Sequence, residues 1–341
     1  MSESIQAIPP FVDSPAPYTR RRAARPSARE WKKHTALFIL TVLTTTLAGV
    51  MLVSQSVAEP HLREPSSLVG YLLYIPEYYF KAVAIYIQHA LAHPSILAHG
   101  GMFAGSLLAI LTAHESGHYI ACRLYGVDAT LPYFIPAPPL FLAGTFGAFI
   151  KIKSPIPTRR ALFDIGVAGP LAGFVVAVPI AIIGVLTLQP APPITGDGII
   201  FGDPLLFRLI ARLGHVELAD TSPNPFYFAA WIGLLVTSLN LMPVGQLDGG
   251  HATYSLFGAR LHAWLGRVAF VLMATLAILG WVWYSSPSGF LYTVLLGVLL
   301  RIKHPNVVDE SEPLDRPRII VAVITLLVFA LSFLPFPIKV I

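Results

Sequence analysis

Long apolar runs divide this chain. Stretches near the roughly 20 residues that a bilayer core demands occur at 36–57, 97–124, 161–188, 226–243, 264–284 and 318–336, and a shorter one occupies 288–300. They predict about six to seven transmembrane helices. Segment 66–95 interrupts the pattern, because it is apolar and aromatic yet carries Pro76, Glu77 and Lys81. It predicts an interfacial amphipathic helix. Counted as a span, it would invert everything downstream and put Lys151, Lys153, Arg159 and Arg160 outside, against the positive-inside rule. Between the second and third runs, Ala143–Lys153 alternates with the period of a strand. Lipid cannot satisfy a strand's backbone, so at membrane depth it must be buried in protein or line a polar cavity. The prediction is an all-α polytopic membrane protein with a re-entrant β-hairpin between the second and third spans.

Composition strengthens that picture. Of 341 residues, 55% are hydrophobic and only 12% charged, against about 25% charged in soluble domains. The net charge of +5 is spread over an N-terminal arm and short loops, which sets topology and excludes a nucleic-acid surface. Residues 1–34, with Arg20, Arg21, Arg22, Arg25, Arg29, Lys32 and Lys33, predict a disordered cytoplasmic arm. Residues 35–96 follow as a retained signal anchor and the interfacial segment. The core spans 97–258, and 259–341 supplies C-terminal helices. Cys122, the single cysteine, excludes an intrachain disulfide and a Cys-rich metal site, leaving histidine and carboxylate as ligands.

The chemistry gathers in two places. His114-Glu115-Ser116-Gly117-His118 lies inside the second apolar run, and a helix puts histidines four apart on one face, where one zinc ion can bridge them. Glu115, beside the first ligand, is the candidate general base for attacking water. Each ionisable residue deep in a span costs about 2.5–3.5 kcal/mol on insertion scales. Zinc binding of roughly 10–16 kcal/mol, the scale seen in small structural sites, can offset that. A catalytic zinc usually takes three protein ligands. Asp248 is the foremost candidate for the third: it follows a helix broken at Pro243 and precedes Gly249 and Gly250, while His251 is a competing ligand. Asp164 reads as an N-cap of the third span, and Gly166, Gly169 and Gly173 as small-residue packing positions. His251 and His304 lack partner spacing and otherwise read as surface or internally satisfied residues.

Together these motifs resemble the site-2 protease family of intramembrane zinc metalloproteases. That family pairs H-E-x-x-H with a later L-D-G, matched here by His114, Glu115 and His118 and by Leu247, Asp248 and Gly249. The resemblance covers about 97–258. It implies one Zn2+ per chain held by His114, His118 and Asp248, with Glu115 catalytic and Asn240 near the substrate. Gly144, Thr145, Phe146 and Gly147 extend the likeness into the hairpin as further substrate-binding candidates. It also implies a compact member without PDZ or CBS domains. The partners expected are a transmembrane protein substrate and the lipid bilayer, in a bacterial inner membrane or, alternatively, a plastid membrane. The rival functions are an intramembrane metal-ion transporter, which would need ligands repeated along a path, and a catalytically silent binding protein on the same fold.

Overall fold

The structure is a computed structural model that describes residues 23–54, 60, 65, 67–139, 141–192, 198–302, 304 and 307–340. Its helices are α1 (Ala28–Val53), α2 (Leu68–Ala92), α3 (Pro94–Leu124), α4 (Arg159–Leu186), α5 (Leu205–Gly214), α6 (Pro225–Asn240), α7 (Asp248–Tyr284), α8 (Ser288–Leu299) and α9 (Arg316–Ser332). Four of them, α1, α3, α4 and α7, are long and apolar enough to cross a membrane, and α6 and α8 are shorter apolar helices. The chain is a mostly helical membrane protein.

Local chemistry moves two boundaries. The predicted arm reached residue 34, but α1 begins at Ala28, because Ser27 and Glu30 form a reciprocal capping box that satisfies orphan backbone donors. Arg20, Arg21 and Arg22 lie outside the described residues. Asp164 is not an N-cap: Thr158 caps α4 by accepting from Ala161 N. Asp164 instead takes a bidentate pair from Arg318 of α9, at 2.9 and 2.6 Å, and a hydrogen bond from the Tyr125 hydroxyl. Its role is structural, but it clamps three elements.

Helix α3 lies at the centre, packed mainly on α4, α1 and α6. Phe103, Leu107, Ile110 and Leu111 of α3 meet Ala177, Ala181 and Val185 of α4 and Trp231 and Leu234 of α6 in the largest core cluster. Small alanines on α4 opposite large α3 side chains let the two axes approach. Toward the α3 C-terminus, a methyl group at Gly117 would run into the Ala168 carbonyl of α4.

A hairpin connects α3 to α4. Strands β1 (Tyr133–Pro136) and β2 (Thr145–Phe149) pair antiparallel, Tyr133 opposite Phe149 and Phe134 opposite Ala148, with a register shift before Pro136–Thr145. The Ala129–Ile152 bridge and the Thr130 N to Lys151 O bond prolong the pairing. Two further small sheets, β3 (Gln189–Pro190) with β5 (Thr221–Ser222) and β4 (Ile199–Phe201) with β6 (Ile338–Val340), lie at the other end of α4. Helix α7 is kinked at Gly258, whose φ of 77° suits glycine. Thr253 Oγ1 and His262 Nδ1 are 3.0 Å apart although nine residues separate them, a span of about 13.5 Å in a straight helix.

Candidate metal centre and active site

Helix periodicity brings the two motif histidines together. His114 and His118 of α3 have ring centroids 4.9 Å apart, and their Nε2 atoms are separated by 3.1 Å. The third group arrives from α6 and α7. The last α6 bond runs from Leu241 N to Thr237 O, after which the chain turns through Pro243 and Gly245. Asp248 then opens α7 as its first residue, rather than sitting on unwound backbone as the Pro243 break suggested. A carboxylate is favourable at that positive helix end. The glycines after it are required by space, since a methyl group at Gly249 would strike the Leu241 carbonyl and one at Gly250 the Gly245 carbonyl.

Asp248 Oδ2 lies 3.3 Å from His114 Nε2, and Oδ1 lies 3.3 Å from His118 Nε2. The His118 Nδ1–H donates to the Ile165 carbonyl at 2.7 Å. A carbonyl only accepts, so neutral His118 turns a lone pair at Nε2 toward the other groups. Two imidazole nitrogens and a carboxylate thus converge, their ligand atoms all within 4.8 Å. Both histidines are buried, and electron pairs facing one another out of water call for a shared cation. Two imidazoles and a carboxylate are a donor set that suits zinc.

Glu115 is buried beside this group and lines the same cavity of about 220 Å³ with Ala148, Phe149, Ile150, Asn240 and Gln246. Asn240 Nδ2 is 3.3 Å from His114 Nε2. The hairpin candidates lie differently. Gly144, with φ of +66°, backs onto Thr44 and Thr45 of α1. Thr145 is buried and bonds the Ile135 carbonyl at 2.8 Å. Phe146 is exposed and packs on Phe141, and Gly147 is a positive-φ residue within β2. Among the described residues of the hairpin region, only 148–150 and 152 line the cavity. His251 also lines it, sharing a 2.7 Å hydrogen bond from Nδ1 with His304 Nε2. That pair escapes sequence spacing, because 53 residues separate its members; the one local signal is that His251 follows Asp248 by about a helical turn.

The sequence profile of peptidase family M50 matches residues 102–279, which contain His114, Glu115, His118, Asn240, Asp248 and His251. The chain belongs to this peptidase family, the site-2 protease family. Within M50-type relatives, "Probable zinc metalloprotease EGY2, chloroplastic" of Oryza sativa subsp. indica is 30% identical over 239 residues, covering 67% of this chain and 41% of the relative. "Probable zinc metalloprotease EGY1, chloroplastic" of Arabidopsis thaliana is 38% identical over 186 residues, covering 52% of this chain and 33% of the relative. The chain thus spans less than half the length of these curated relatives. No solved structure matches it.

Proposed function

We propose that this M50 chain is an intramembrane zinc endopeptidase that hydrolyses peptide bonds in or near transmembrane segments of other membrane proteins. The observation that carries the reading is the buried convergence of His114, His118 and Asp248 next to Glu115, on helices apolar enough for a bilayer. His114, His118 and Asp248 hold the zinc, which when bound supplies Lewis acidity that polarises a scissile carbonyl and makes water a stronger acid. Glu115 takes a proton from the attacking water and delivers it to the leaving amine. The shorter helices α6, α8 and α9 complete the six or seven spans.

A substrate helix must be unwound first, because its carbonyls are engaged in i to i−4 bonds. Strand β2 offers the replacement. Among the described residues it pairs only with β1, and its end at Ala148 and Phe149, continuing to Ile150, borders the cavity beside Glu115. An extended substrate pairing along that edge recovers its backbone bonds by β-augmentation. The hairpin is then re-entrant, with Asn240 on the opposite wall contacting the substrate. Both curated relatives carry chloroplastic names, so a plastid membrane stands beside the bacterial inner membrane as the location.

A tagged single-span substrate co-expressed with the full chain tests the reading. Wild type is expected to cut it and Glu115→Gln to leave it whole. Cleavage that survives Glu115→Gln removes the assigned base. Zinc stoichiometry of purified Asp248→Ala tests the third ligand: about one equivalent in wild type and a clear loss in the variant are expected, and undiminished zinc removes Asp248 from the site.

A further inference from the structure

One imidazole in the cavity has no part in the chemistry above. His251 lies about one turn beyond Asp248 on α7 and lines the cavity with Glu115 and both histidine ligands. Its Nδ1 is taken by His304, while among the described residues nothing bonds its Nε2, which is open to whatever enters.

Helix α4 treats this residue as it treats the two ligands. A methyl group at Gly169 would overlap His118 Nε2, one at Gly173 would lie 3.1 Å from His114 Cβ, and one at Gly166 would lie 2.8 Å from His251 Cβ. Three glycines at helical spacing thus seat three imidazoles around one cavity. The far side of His251 is fixed as well. His304 stacks on Tyr254 with centroids 4.1 Å apart and planes at 12°, and the Tyr254 hydroxyl donates to Glu310 at 2.6 Å. His262, returned by the Gly258 kink, packs its ring 5.6 Å from His304. A ring held on both sides is pre-organised, and donors gain most when they need not reorganise as charge develops.

We infer that His251 is a further catalytic residue, whose Nε2–H donates to the carbonyl oxygen of the scissile peptide as that oxygen gains negative charge. His304 is its positioning residue: it donates Nε2–H to His251 Nδ1 and so keeps the His251 proton on the cavity side. The assignment rests on the endopeptidase reading above. It differs from a role as metal ligand, because it leaves zinc binding to His114, His118 and Asp248.

The test uses the purified full chain in proteoliposomes with the tagged single-span substrate, reading kcat, KM and zinc content together. His251→Phe is expected to lower kcat by about 100-fold or more, the usual loss for one such donor, with KM and zinc content unchanged. His251→Gln, which restores an amide donor, is expected to recover roughly tenfold of that loss. His304→Phe is expected to lower kcat by about tenfold with KM unchanged, and His304→Gln to recover part of it. A His251→Phe enzyme within roughly threefold of wild-type kcat overturns the inference. So does loss of zinc in that variant, or a His251→Gln enzyme no better than His251→Phe. These results leave the endopeptidase reading standing if Glu115→Gln is inactive. A wild type that does not cut overturns that reading, and the inference with it.

Discussion

Helix α3 carries small residues on two faces, and the two faces do opposite things. Toward α4, Gly117 meets the Ala168 carbonyl, and the α4 glycines Gly169 and Gly173 meet His118 and His114. Toward α1, Gly101, Gly105, Ala109 and Ala113 run at four-residue spacing along a groove of about 590 Å³ walled by Phe38, Val42 and Thr46. A methyl group at Gly101 or Gly105 meets nothing within 4 Å among the described residues. Inside a bilayer, apolarity alone does not drive helices together, so contact depends on backbones and side chains that fit. The closed face positions chemistry, whereas the open face positions nothing described. The difference lies in the partner rather than in the composition of α3.

The sharpest way to break that contrast is Gly169→Ala. Its methyl group competes for the space of the His118 ligand nitrogen, so zinc affinity is expected to fall roughly 10–100-fold, the range for residues that orient ligands. Chelator competition on the purified protein measures it. Affinity within threefold of wild type would show that α4 does not seat the ligand.

Gly117→Ala comes next. Here the obstacle is the backbone carbonyl of Ala168, which has no rotamer to escape into. Overpacking of this kind costs about 1–3 kcal/mol, read as a shift in the unfolding midpoint in mild detergent, and an unchanged midpoint would show that α3 and α4 tolerate separation. Arg318→Ala is expected to cost slightly less, about 1–2 kcal/mol. The charged hydrogen bonds to Asp164 belong to the stronger class, but side chains 21% and 28% exposed are partly screened by solvent. A loss below a few tenths would mean that the clamp joining Tyr125, Asp164 and Arg318 is decorative.

These effects also mark what the linear pattern could convey. The spacing of His114 and His118 is helical, so their meeting was legible, and so was Glu115 between them. Asp248 was legible as a candidate because intramembrane carboxylates need partners, although its place at a helix start depends on Pro243 lacking an N–H and on Gly249 and Gly250 clearing nearby carbonyls. Gly166, Gly169 and Gly173 announced close packing, but not that histidines fill the space; spacing names a face, and the neighbouring helix decides what lies against it. The Asp164–Arg318 pair spans 154 residues and His251–His304 spans 53, so neither leaves a local signature. The hairpin shows the same limit in reverse. Alternation signalled a strand over Ala143–Lys153, yet β2 runs only from Thr145 to Phe149: Gly144, with positive φ, lies just before it, and Gly147, with positive φ inside it, falls where the register with β1 shifts.

The smallest effect tests the open face. Gly105 is in mid-helix with ordinary helical φ, so replacing it by alanine removes backbone entropy from the unfolded chain and adds a methyl group into open space. The expected result is stabilisation by about 0.5–1 kcal/mol, the usual helix preference for alanine over glycine. Its sign is opposite to that of Gly117→Ala, twelve residues along the same helix, and paired unfolding curves of the two variants give the comparison directly. Destabilisation of Gly105→Ala by more than about 1 kcal/mol would mean that a backbone packs into the groove in the membrane. The two faces of α3 would then be alike, and the contrast between them would fail.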